Sequence, residues 1–528
     1  MYEAKHFCNV ILETYPNQDP ENLLLQEKEF IKKYISLETR KREDSPHFPL
    51  KYPDGAMSYQ KEAYDAWKKN GKCGIFAMAT GTGKTVTSLN CALHDFEDEG
   101  CYRILILVPS LDLIDQWIGE VKDFGFKKII SVSSLNPMWR KEMLDVMQKI
   151  QRKKNVNFVI ISTYDSFVDR DFQGILPHIS ERMLLIADEA HNIGGNLVKA
   201  CFRKVTIPKR IALSATPERI YDEEGSAEIG TFFNDSRPYI YSFPMSRAIR
   251  EGRLCHYFYY PKVAYLNDNE MELYAYLSKK LALLWDSSKN EFTNKEEANR
   301  ILIQRKRIIH KCENKINVYK NILREITEEN LKYTFVYAPQ GKYQKIGEKD
   351  SVNCVLDDED DTSFIQKLLD VTKGIYPQKL CNTFTGKDKK EKREILLKSF
   401  EKGTINVLFA MKCLDEGVDI PRAERGIFTS STGNPREFIQ RRGRLLRKHK
   451  DKRYSYIYDI IVIPSTINRE ESFSKTEQNL VKAELKRVAY FASLAENCYA
   501  NGGAYEQLNG VAQHFGILWG DLLKEVEQ

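Results

Sequence analysis

A glycine-rich loop between an apolar run and a helical stretch carries the first residues that could do chemistry. In the segment GIFAMATGTGKTVTSLN the loop consists of Thr80, Gly81, Thr82, Gly83, Lys84 and Thr85. Glycines let backbone N–H groups turn inward around a phosphate, and the following helix N-terminus adds a positive dipole end. Lys84 would reach the phosphates of a nucleoside triphosphate, and the Thr85 hydroxyl would bind Mg²⁺. Although Met78 replaces the first glycine of the strict G-x-x-x-x-G-K-[ST] pattern, the segment predicts a phosphate-binding loop.

A pair of acidic residues follows a second apolar run. The segment MLLIADEAH places Asp188 and Glu189 at the end of a predicted buried strand, with His191 shortly after them. Ligands of open α/β sheets bind at the carboxyl ends of the strands, so this segment and Lys84 are predicted to meet at one site. There Asp188 would hold Mg²⁺, and Glu189 would orient and polarise an attacking water. His191 would couple the site either to a second domain or to the later motif that contains Ser214 and Thr216.

Two series of short apolar runs supply the elements that must position these loops. Residues 51–250 contain GIFAMA, RILILV, NFVIIS, MLLIAD and RIALSA, and residues 326–465 contain YTFVYA, KLCNTF, NVLFA, RGIFTS and YIYDIIVI. Nearly continuous apolar runs that alternate with helical stretches are typical of parallel sheets covered by helices on both faces. The predicted fold class is therefore α/β, with one such domain at 51–250 and another at 326–465.

The remaining segments are predicted to be helical. Residues 1–50 are polar and helix-prone, and three prolines between positions 46 and 53 indicate a boundary near residue 50. Residues 251–325 are rich in Glu, Lys, Leu and Tyr and poor in Gly and Pro, which predicts a helical inter-domain segment. Residues 466–528 predict a C-terminal helical segment on the same grounds.

Composition excludes several classes of protein. The 528 residues, 42% hydrophobic and 29% charged, predict a globular chain of three or four domains. No run of about eighteen apolar residues occurs, and the start lacks the features of a signal peptide, so a cytoplasmic protein without membrane segments is expected. Eleven cysteines without a C-x-x-C pair argue against a disulfide scaffold or a zinc ribbon.

Charge is distributed unevenly along a chain whose net charge is only +6. From Arg441 to Arg453, eight of thirteen residues are Lys or Arg, and Lys448 and Lys450 are candidates for phosphate contacts. A solvated loop is the alternative for this run. The acidic run DDEDD at 357–361 is interpreted as solvated surface.

At these motifs the chain resembles the superfamily 2 helicases, whose further motifs follow in order over about residues 55–463. Met57 and Met411 depart from the family pattern in the Q motif and in motif V. The matching residues outside motifs I and II are Tyr59 and Gln60 (Q motif), Ser110 and Trp117 (Ia), Thr163 and Tyr164 (Ib), Ser214 and Thr216 (III), Gly417 and Asp419 (V), and Gln440, Arg444 and Arg447 (VI).

The resemblance implies two tandem RecA-like P-loop domains that bind ATP and Mg²⁺ between them. Ser214 and Thr216 would relay the state of the γ-phosphate. The residues implied to bind ATP, besides the glycine-rich loop, are Tyr59, Gln60, Gly417 and Asp419. The residues implied to join catalysis from the second domain are Gln440, Arg444 and Arg447, with the two arginines stabilising charge on the transferring phosphoryl group.

The partner implied by the resemblance is a nucleic acid. The residues around motif VI look more like XPB-type repair helicases, phage branch-migration helicases and prokaryotic restriction or defence motors than like DEAH-box RNA helicases, which favours DNA over RNA. Tyr164 is implied to stack on bases, and Trp117 either stacks on bases or packs in the core. The other residues implied to contact nucleic acid are Ser110, Thr163, Lys448 and Lys450.

Three functions are compatible with this sequence. The leading hypothesis is an ATP-dependent DNA helicase or translocase acting on duplex, forked or branched DNA, in repair or in phage defence and restriction. The alternatives are a nucleotide-switched DNA-binding or sensing subunit of a defence complex, and an RNA helicase. The sequence shows no convincing nuclease pattern, so a nuclease or defence subunit, if present, would be a separate chain.

Overall fold

The computed structural model describes residues 45–218, 222–286, 291–338, 362–385, 388–410, 420–429, 435–465 and 475–527. These residues form two compact units. The first contains the described residues up to Met78 and Gly83–Phe243, and the second contains Ala79–Thr82 and the described residues from Pro244 onward. Of the predicted N-terminal helical segment at residues 1–50, positions 1–44 lie outside the described residues.

The first unit is built on a seven-stranded sheet with the strand order β3-β4-β2-β5-β6-β1-β7. All its paired neighbours run parallel. Its strands are β1 (Cys73–Met78), β2 (Arg103–Val108), β3 (Ile129–Val132), β4 (Phe158–Thr163), β5 (Leu184–Asp188), β6 (Lys209–Ser214) and β7 (Tyr241–Phe243). Its helices are α1 (Ser58–Lys69), α2 (Lys84–Glu99), α3 (Leu111–Asp123), α4 (Trp139–Gln151), α5 (Tyr164–Phe167), α6 (Arg170–Ile175), α7 (Asn196–Phe202) and α8 (Glu223–Phe233), with 3-10 turns at Leu176–His178 and Ala190–Gly194.

The apolar runs form the central strands, as predicted. Every residue of β2, β4 and β5 is buried. Strands covered on both faces cannot alternate apolar and polar residues, which explains runs such as RILILV and FVIIST. The candidate residues therefore follow the carboxyl ends of strands, where loops replace buried backbone: the phosphate-binding loop follows β1, and Asp188 ends β5.

A buried ion cluster joins α2 to the amino ends of β1 and β6. The Asp95 carboxylate lies 2.7 Å from the Lys72 ammonium and 2.7 Å from the Lys209 ammonium. Lys209 also contacts Glu99 at 2.6 Å, and the Asp95 and Lys209 side chains are both largely buried. Because buried charges are tolerated only when paired, Asp95 fixes the helix that follows the phosphate-binding loop onto the sheet.

We expect Asp95→Ala to lower the free energy of unfolding by roughly 3–5 kcal/mol, because Lys209 would remain as a buried charge that has lost one of its two partners. Chemical denaturation followed by circular dichroism measures the change. Asp98→Ala on the same helix is the control, because the Asp98 side chain is 41% exposed and its pair with Lys68 lies at the surface. Equal losses of stability in the two variants would contradict the role assigned to Asp95 in fixing α2 onto the sheet.

The second unit contains a six-stranded sheet with the order β12-β13-β11-β14-β15-β8 and a separate two-stranded β10-β9 hairpin. The strands are β8 (His256–Leu266), β9 (Trp285–Asp286), β10 (Glu291–Phe292), β11 (Thr334–Tyr337), β12 (Cys381–Phe384), β13 (Val407–Ala410), β14 (Arg425–Phe428) and β15 (Tyr454–Pro464). The helices are α9 (Met245–Arg250), α10 (Asp268–Leu283), α11 (Lys295–Lys311), α12 (Lys315–Glu325), α13 (Thr362–Ile375), α14 (Lys390–Glu401), α15 (Pro435–Leu445), α16 (Lys475–Ala492), α17 (Ala504–His514) and α18 (Trp519–Glu527), with a 3-10 turn at Glu329–Leu331.

One part of the sequence-based assignment is wrong. Residues 251–325 were expected to be helical throughout, yet His256–Leu266 is an eleven-residue strand that pairs in parallel with Tyr454–Pro464. Its burial alternates along HYFYYPKVAYL, as in a strand with two different faces. The rest of the segment is mainly helical, and the described residues of the predicted C-terminal segment form three helices.

The C-terminal segment also covers the free edge of β8. The Asn497 side chain accepts from the Tyr259 N–H at 2.8 Å and donates to the Tyr259 carbonyl at 3.1 Å. The Glu496 N–H donates to the Tyr257 carbonyl at 3.0 Å. An uncovered strand edge is a template for aggregation, so these contacts protect the second sheet. Among the described residues, every helix is too short or too polar to cross a lipid bilayer.

Candidate nucleotide-binding site

The phosphate-binding loop has the backbone conformation that its glycines permit. Gly81 and Gly83 have φ values of +86° and +80°, in the left-handed region that other residues rarely adopt. Gly83 directly precedes the first turn of α2, which begins at Lys84. The Thr82 hydroxyl donates to the Ala79 carbonyl at 2.7 Å and fixes the turn. Backbone N–H groups at a helix N-terminus favour anions, so the loop fits a phosphate.

The two Q-motif residues lie beside this loop. A Cβ atom added at Gly83 would be 3.5 Å from the Tyr59 hydroxyl and 3.6 Å from Gln60 Nε2. Gln60 Oε1 accepts from the Met57 N–H at 2.9 Å, which caps α1. The Tyr59 ring stacks on Phe243, with ring centroids 4.5 Å apart. These contacts hold Tyr59 and Gln60 next to the loop, where adenine recognition by them remains a prediction.

Asp188 ends β5 with its side chain buried and fully oriented. Its Oδ1 accepts from the Glu189 N–H at 3.0 Å, and its Oδ2 accepts from Trp117 Nε1 at 3.0 Å. The Tyr164 hydroxyl donates to the Asp188 carbonyl at 2.8 Å. Burial, with a contribution from the neighbouring Glu189 carboxylate, raises the pKa of Asp188 to about 6. A carboxylate and the Thr85 hydroxyl are oxygen donors of the kind that Mg²⁺ prefers, so the residues present fit that ion.

Glu189 brings the two predicted loops together. Its Oε1 lies 3.3 Å from Lys84 Nζ, and its Oε2 lies 3.5 Å from His191 Nδ1. Glu189 has a φ of +46°, an uncommon conformation for a residue other than glycine. Such strain often lies at functional sites. The prediction that Lys84 and the acidic pair meet at one site is confirmed, while the chemical role of each remains a prediction.

Ser214 and Thr216 lie at the end of the neighbouring strand. Ser214 is aligned with Ala77 of β1, and Leu213 is aligned with Asp188 of β5. The Ser214 hydroxyl accepts from the Thr216 N–H at 3.1 Å. Strand β6 therefore places this motif between β1, which leads into the Lys84 loop, and β5, which ends at Asp188, and this position suits the predicted relay.

The prediction that Tyr164 stacks on bases is wrong in this structure. Tyr164 is only 4% exposed and packs in the core, and its hydroxyl holds the Asp188 backbone. Trp117 is 1% exposed, so of the two predicted alternatives, base stacking and core packing, the structure shows core packing. Sequence analysis missed that both rings orient Asp188. The sequence held one signal for these contacts, because a buried Tyr or Trp needs a hydrogen-bond partner for its O–H or N–H group.

Trp117→Phe is expected to reduce ATP turnover by roughly 10–100-fold, since partners that orient a metal-binding carboxylate contribute on this scale. The substitution removes the indole N–H and keeps an aromatic ring. Steady-state ATPase at varied Mg²⁺ concentration measures the effect. Trp67→Phe is the matched control, because Trp67 is also buried and its Nε1 donates to the Arg210 carbonyl at 3.1 Å. Comparable losses in both variants would point to a packing effect alone.

Ser110 and Thr163 line a cavity of about 530 Å³ at the carboxyl ends of β2 and β4. Asn136 and Arg140 also line it. Thr163 caps α5, accepting from the Ser166 N–H at 3.1 Å. The buried Ser110 Oγ has no hydrogen-bond partner among the described residues. Hydroxyl and cationic groups suit phosphate oxygens, so these two residues remain predicted nucleic-acid contacts.

Motif VI lies on α15 in the second unit. Arg442 is 1% exposed, and its guanidinium donates to the Tyr257 hydroxyl at 3.3 Å and to the Tyr490 carbonyl at 3.1 Å. Arg442 thereby fixes α15 to β8 and α16. Gln440 and Arg444 also lie on this helix, and Arg447 follows it in a backbone bridge to Leu254. Gly417 and Asp419, predicted to bind ATP, lie outside the described residues.

The basic run after α15 is not a uniform patch. Lys452 is buried, and its ammonium donates to the Leu445 carbonyl at 2.7 Å and to the Ala423 carbonyl at 2.9 Å. Burial lowers the pKa of Lys452 to about 8. Lys448 and Lys450 are exposed, so they stay candidates for phosphate contacts.

Comparisons with known proteins agree with this arrangement. Residues 55–219 match the family described as type III restriction enzyme, res subunit, and residues 351–449 match the helicase conserved C-terminal domain. The chain is 27% identical over 440 residues to the DNA 3'-5' translocase XPB2 of Sulfurisphaera tokodaii, covering 80% of this chain and 86% of that protein. It is 22% identical to putative helicase 22 of a Sulfolobus islandicus filamentous virus, covering 76% of this chain and 64% of that protein.

A solved structure shares the fold. It is the ATP-dependent type ISP restriction-modification enzyme LlaBIII bound to DNA, with a TM-score of 0.55 and 17% identity, covering 89% of this chain and 33% of that one. Together with the two parallel sheets and the site around Lys84, these matches define a P-loop ATPase with two RecA-like domains. The chain therefore carries a domain of the type III restriction res family and a helicase C-terminal domain, the pair found in superfamily 2 helicases of the XPB and restriction types.

Proposed function

We propose that this enzyme couples ATP hydrolysis to movement along duplex or branched DNA. The observation that carries the proposal is the 3.3 Å contact between Lys84 and Glu189 beside the oriented Asp188. The shared sheet edge supports three proposed roles: Lys84 as the phosphate-binding cation, Asp188 as the metal-binding carboxylate and Glu189 as the water-activating carboxylate.

Each proposed site residue then has a defined role in ATP hydrolysis. The loop from Thr80 to Thr85 binds the phosphates, and Lys84 neutralises charge on the β- and γ-phosphates. Thr85 and Asp188 would hold Mg²⁺, which supplies charge neutralisation on the same phosphates when bound. Glu189 orients and polarises the attacking water. Arg444 and Arg447 stabilise charge on the transferring phosphoryl group, and such arginines contribute about 10³–10⁵ in turnover.

DNA is the proposed partner for two reasons. The translocase relative is named for DNA, and the restriction enzyme of the same fold was solved bound to DNA. Ser110 and Thr163 offer hydroxyl groups to phosphates without reading sequence, and the exposed Lys448 and Lys450 add salt-dependent attraction. RNA is the less favoured partner.

The decisive test is the ATPase rate without nucleic acid and with single-stranded, duplex and forked DNA or RNA. We expect strong stimulation by duplex or forked DNA, and stimulation by RNA alone would overturn the choice of partner. Triplex displacement then reports translocation, whereas strand displacement reports unwinding. Triplex displacement without strand displacement would identify a translocase, and strand displacement would identify a helicase.

A partner subunit is the second part of the proposal. The match to the res subunit of type III restriction enzymes supports work beside a separate nuclease or defence subunit in the cytoplasm. In that setting the chain acts in phage defence or repair, and a nucleotide-switched sensing role is the alternative. Absence of stimulation by every nucleic acid would favour this switch, and affinity capture from the native host would then identify the partner.

A further inference from the structure

One face of the second sheet carries a block of aromatic rings on its last two strands. The ring block consists of Phe258 and Tyr260 on β8 and of Tyr454, Tyr456 and Tyr458 on β15. Parallel register sets Phe258 beside Tyr456 and Tyr260 beside Tyr458. The two pairs are stacked, with ring centroids 5.6 Å and 5.1 Å apart and interplanar angles of 10° and 24°. Tyr454 meets Phe258 edge-on at 5.4 Å.

The ring block is partly exposed although the same face is buried farther along both strands. Ala264, Ile460 and Val462 lie in a closed core with residues of α10 to α13, and Tyr458 packs against its margin. All five residues of the ring block retain partial solvent exposure. Sheets in α/β domains are normally covered on both faces, so among the described residues the helical layer covers this corner incompletely. Aromatic rings left partly exposed together are a feature of interaction surfaces.

Cations lie over the rings. The Arg425 guanidinium is 4.9 Å from the centre of the Tyr456 ring, and the exposed Arg453 is 5.2 Å from the centre of the Tyr454 ring. Arg425 is buried and also pairs with Glu424 at 3.7 Å, whereas Arg453 makes no ion pair with any described residue. The surface therefore combines aromatic rings with one exposed guanidinium group, a combination complementary to bases joined by phosphates.

We propose that the ring block binds single-stranded nucleic acid, with bases stacked on its rings and phosphates beside the exposed Arg453. The ring pairs recur at every second residue, about 6.6 Å apart along the strands, so successive bases can be seated. Tyr257 points to the opposite face, where Arg442 of motif VI contacts it. The ring block is thus separate from the residues proposed for ATP chemistry, and the inference goes beyond the proposed function.

Photocrosslinking of the full wild-type chain tests the proposal directly. The probe is a twenty-nucleotide thymidine oligonucleotide carrying 5-iododeoxyuridine, and mass spectrometry locates the crosslinked residues. We expect crosslinks at Tyr454, Tyr456 or Phe258. Crosslinks confined to other segments, or none at all, would overturn the proposal. The result does not depend on ATP hydrolysis, so it is distinct from failure of the proposed motor function.

Substitutions provide the second measurement. The double variant Phe258→Leu and Tyr456→Leu keeps apolar side chains but removes the stacking faces, and it should bind a fluorescein-labelled thymidine oligonucleotide about 10- to 100-fold more weakly. ATPase without nucleic acid should stay unchanged. Arg453→Gln should weaken binding and reduce the slope of log affinity against log salt by about one.

Tyr276→Leu is the matched control, because Tyr276 is an exposed ring on α10 that lies under the Lys280 ammonium at 4.8 Å. The control should bind the oligonucleotide like the wild type. Equal affinity of the double variant and the wild type would exclude nucleic acid from this surface and leave a protein segment as the candidate occupant.

Discussion

Lys84→Ala is expected to reduce ATP hydrolysis to less than a hundredth of the wild-type rate. The Lys84 ammonium is the cation at the first turn of α2, directly after the loop whose glycines adopt left-handed backbone conformations. Removing one preorganised electrostatic group from a catalytic site costs about 10²–10³ in turnover. Binding should weaken as well, because Lys84 is proposed to contact the phosphates in the ground state. A coupled ATPase assay and titration with a fluorescent ATP analogue measure both effects.

The control for this prediction is Lys68→Ala. Lys68 lies on α1 of the same unit, is half-exposed and pairs with Asp98 at the surface. Its removal should leave hydrolysis unchanged. Residual turnover of Lys84→Ala above a tenth of the wild-type rate would contradict the assignment of the phosphate-binding loop. Circular dichroism of both variants separates lost chemistry from lost folding.

The sheets and the meeting of the two loops were predictable from sequence because burial on both faces leaves a direct signature. Runs such as RILILV have few alternatives in a globular chain, and loops that follow parallel strands must share one edge. Lys84 and Glu189, far apart in sequence, are therefore in contact as expected.

The strand at His256–Leu266 escaped prediction because composition was judged over a window of 75 residues dominated by helices. Its own signal was local, a concentration of aromatic residues with high strand propensity in HYFYYPKVAYL. Its pairing partner, Tyr454–Pro464, is distant in sequence, so no neighbouring sequence could indicate it. The whole of residues 251–325 was therefore predicted to be helical.

Buried polar contacts were the other feature of the structure that could not be predicted from the sequence. Lys452 belongs to a basic run, yet it caps carbonyl groups at the end of α15. Trp117 and Tyr164 belong to motifs expected to contact nucleic acid, yet both hold Asp188. Charge and aromaticity indicate that a partner is needed, but only the fold decides whether that partner is solvent, nucleic acid or backbone.

The contacts of Asp188 have a mechanical consequence. Ser110 directly precedes α3, which carries Trp117, and Thr163 directly precedes Tyr164. The two segments proposed to contact DNA therefore each carry a residue that orients Asp188. A shift of either segment on DNA binding would change the geometry of the carboxylate proposed to bind Mg²⁺, and nucleic-acid contact would then be linked to ATP turnover within one unit.

Glu189→Gln is the second substitution with a large expected effect, and its result should differ in kind from that of Lys84→Ala. The amide keeps the size of the side chain but cannot accept a proton from the attacking water. Removing such a general base costs about 10²–10⁴ in the chemical step. ATP binding should persist, and it should tighten if anything, because Lys84 would lose the carboxylate that it contacts at 3.3 Å.

Single-turnover hydrolysis and equilibrium binding of the fluorescent ATP analogue separate these two effects for Glu189→Gln. Glu97→Gln is the matched control, because Glu97 is exposed on α2 and pairs with His94 at 2.7 Å. Binding weakened more than tenfold in Glu189→Gln, with the control unchanged, would make Glu189 a structural residue of the loop. Intact binding with hydrolysis slowed at least a hundredfold assigns it to the activation of water, because the amide keeps the size and shape of the side chain but can no longer accept a proton.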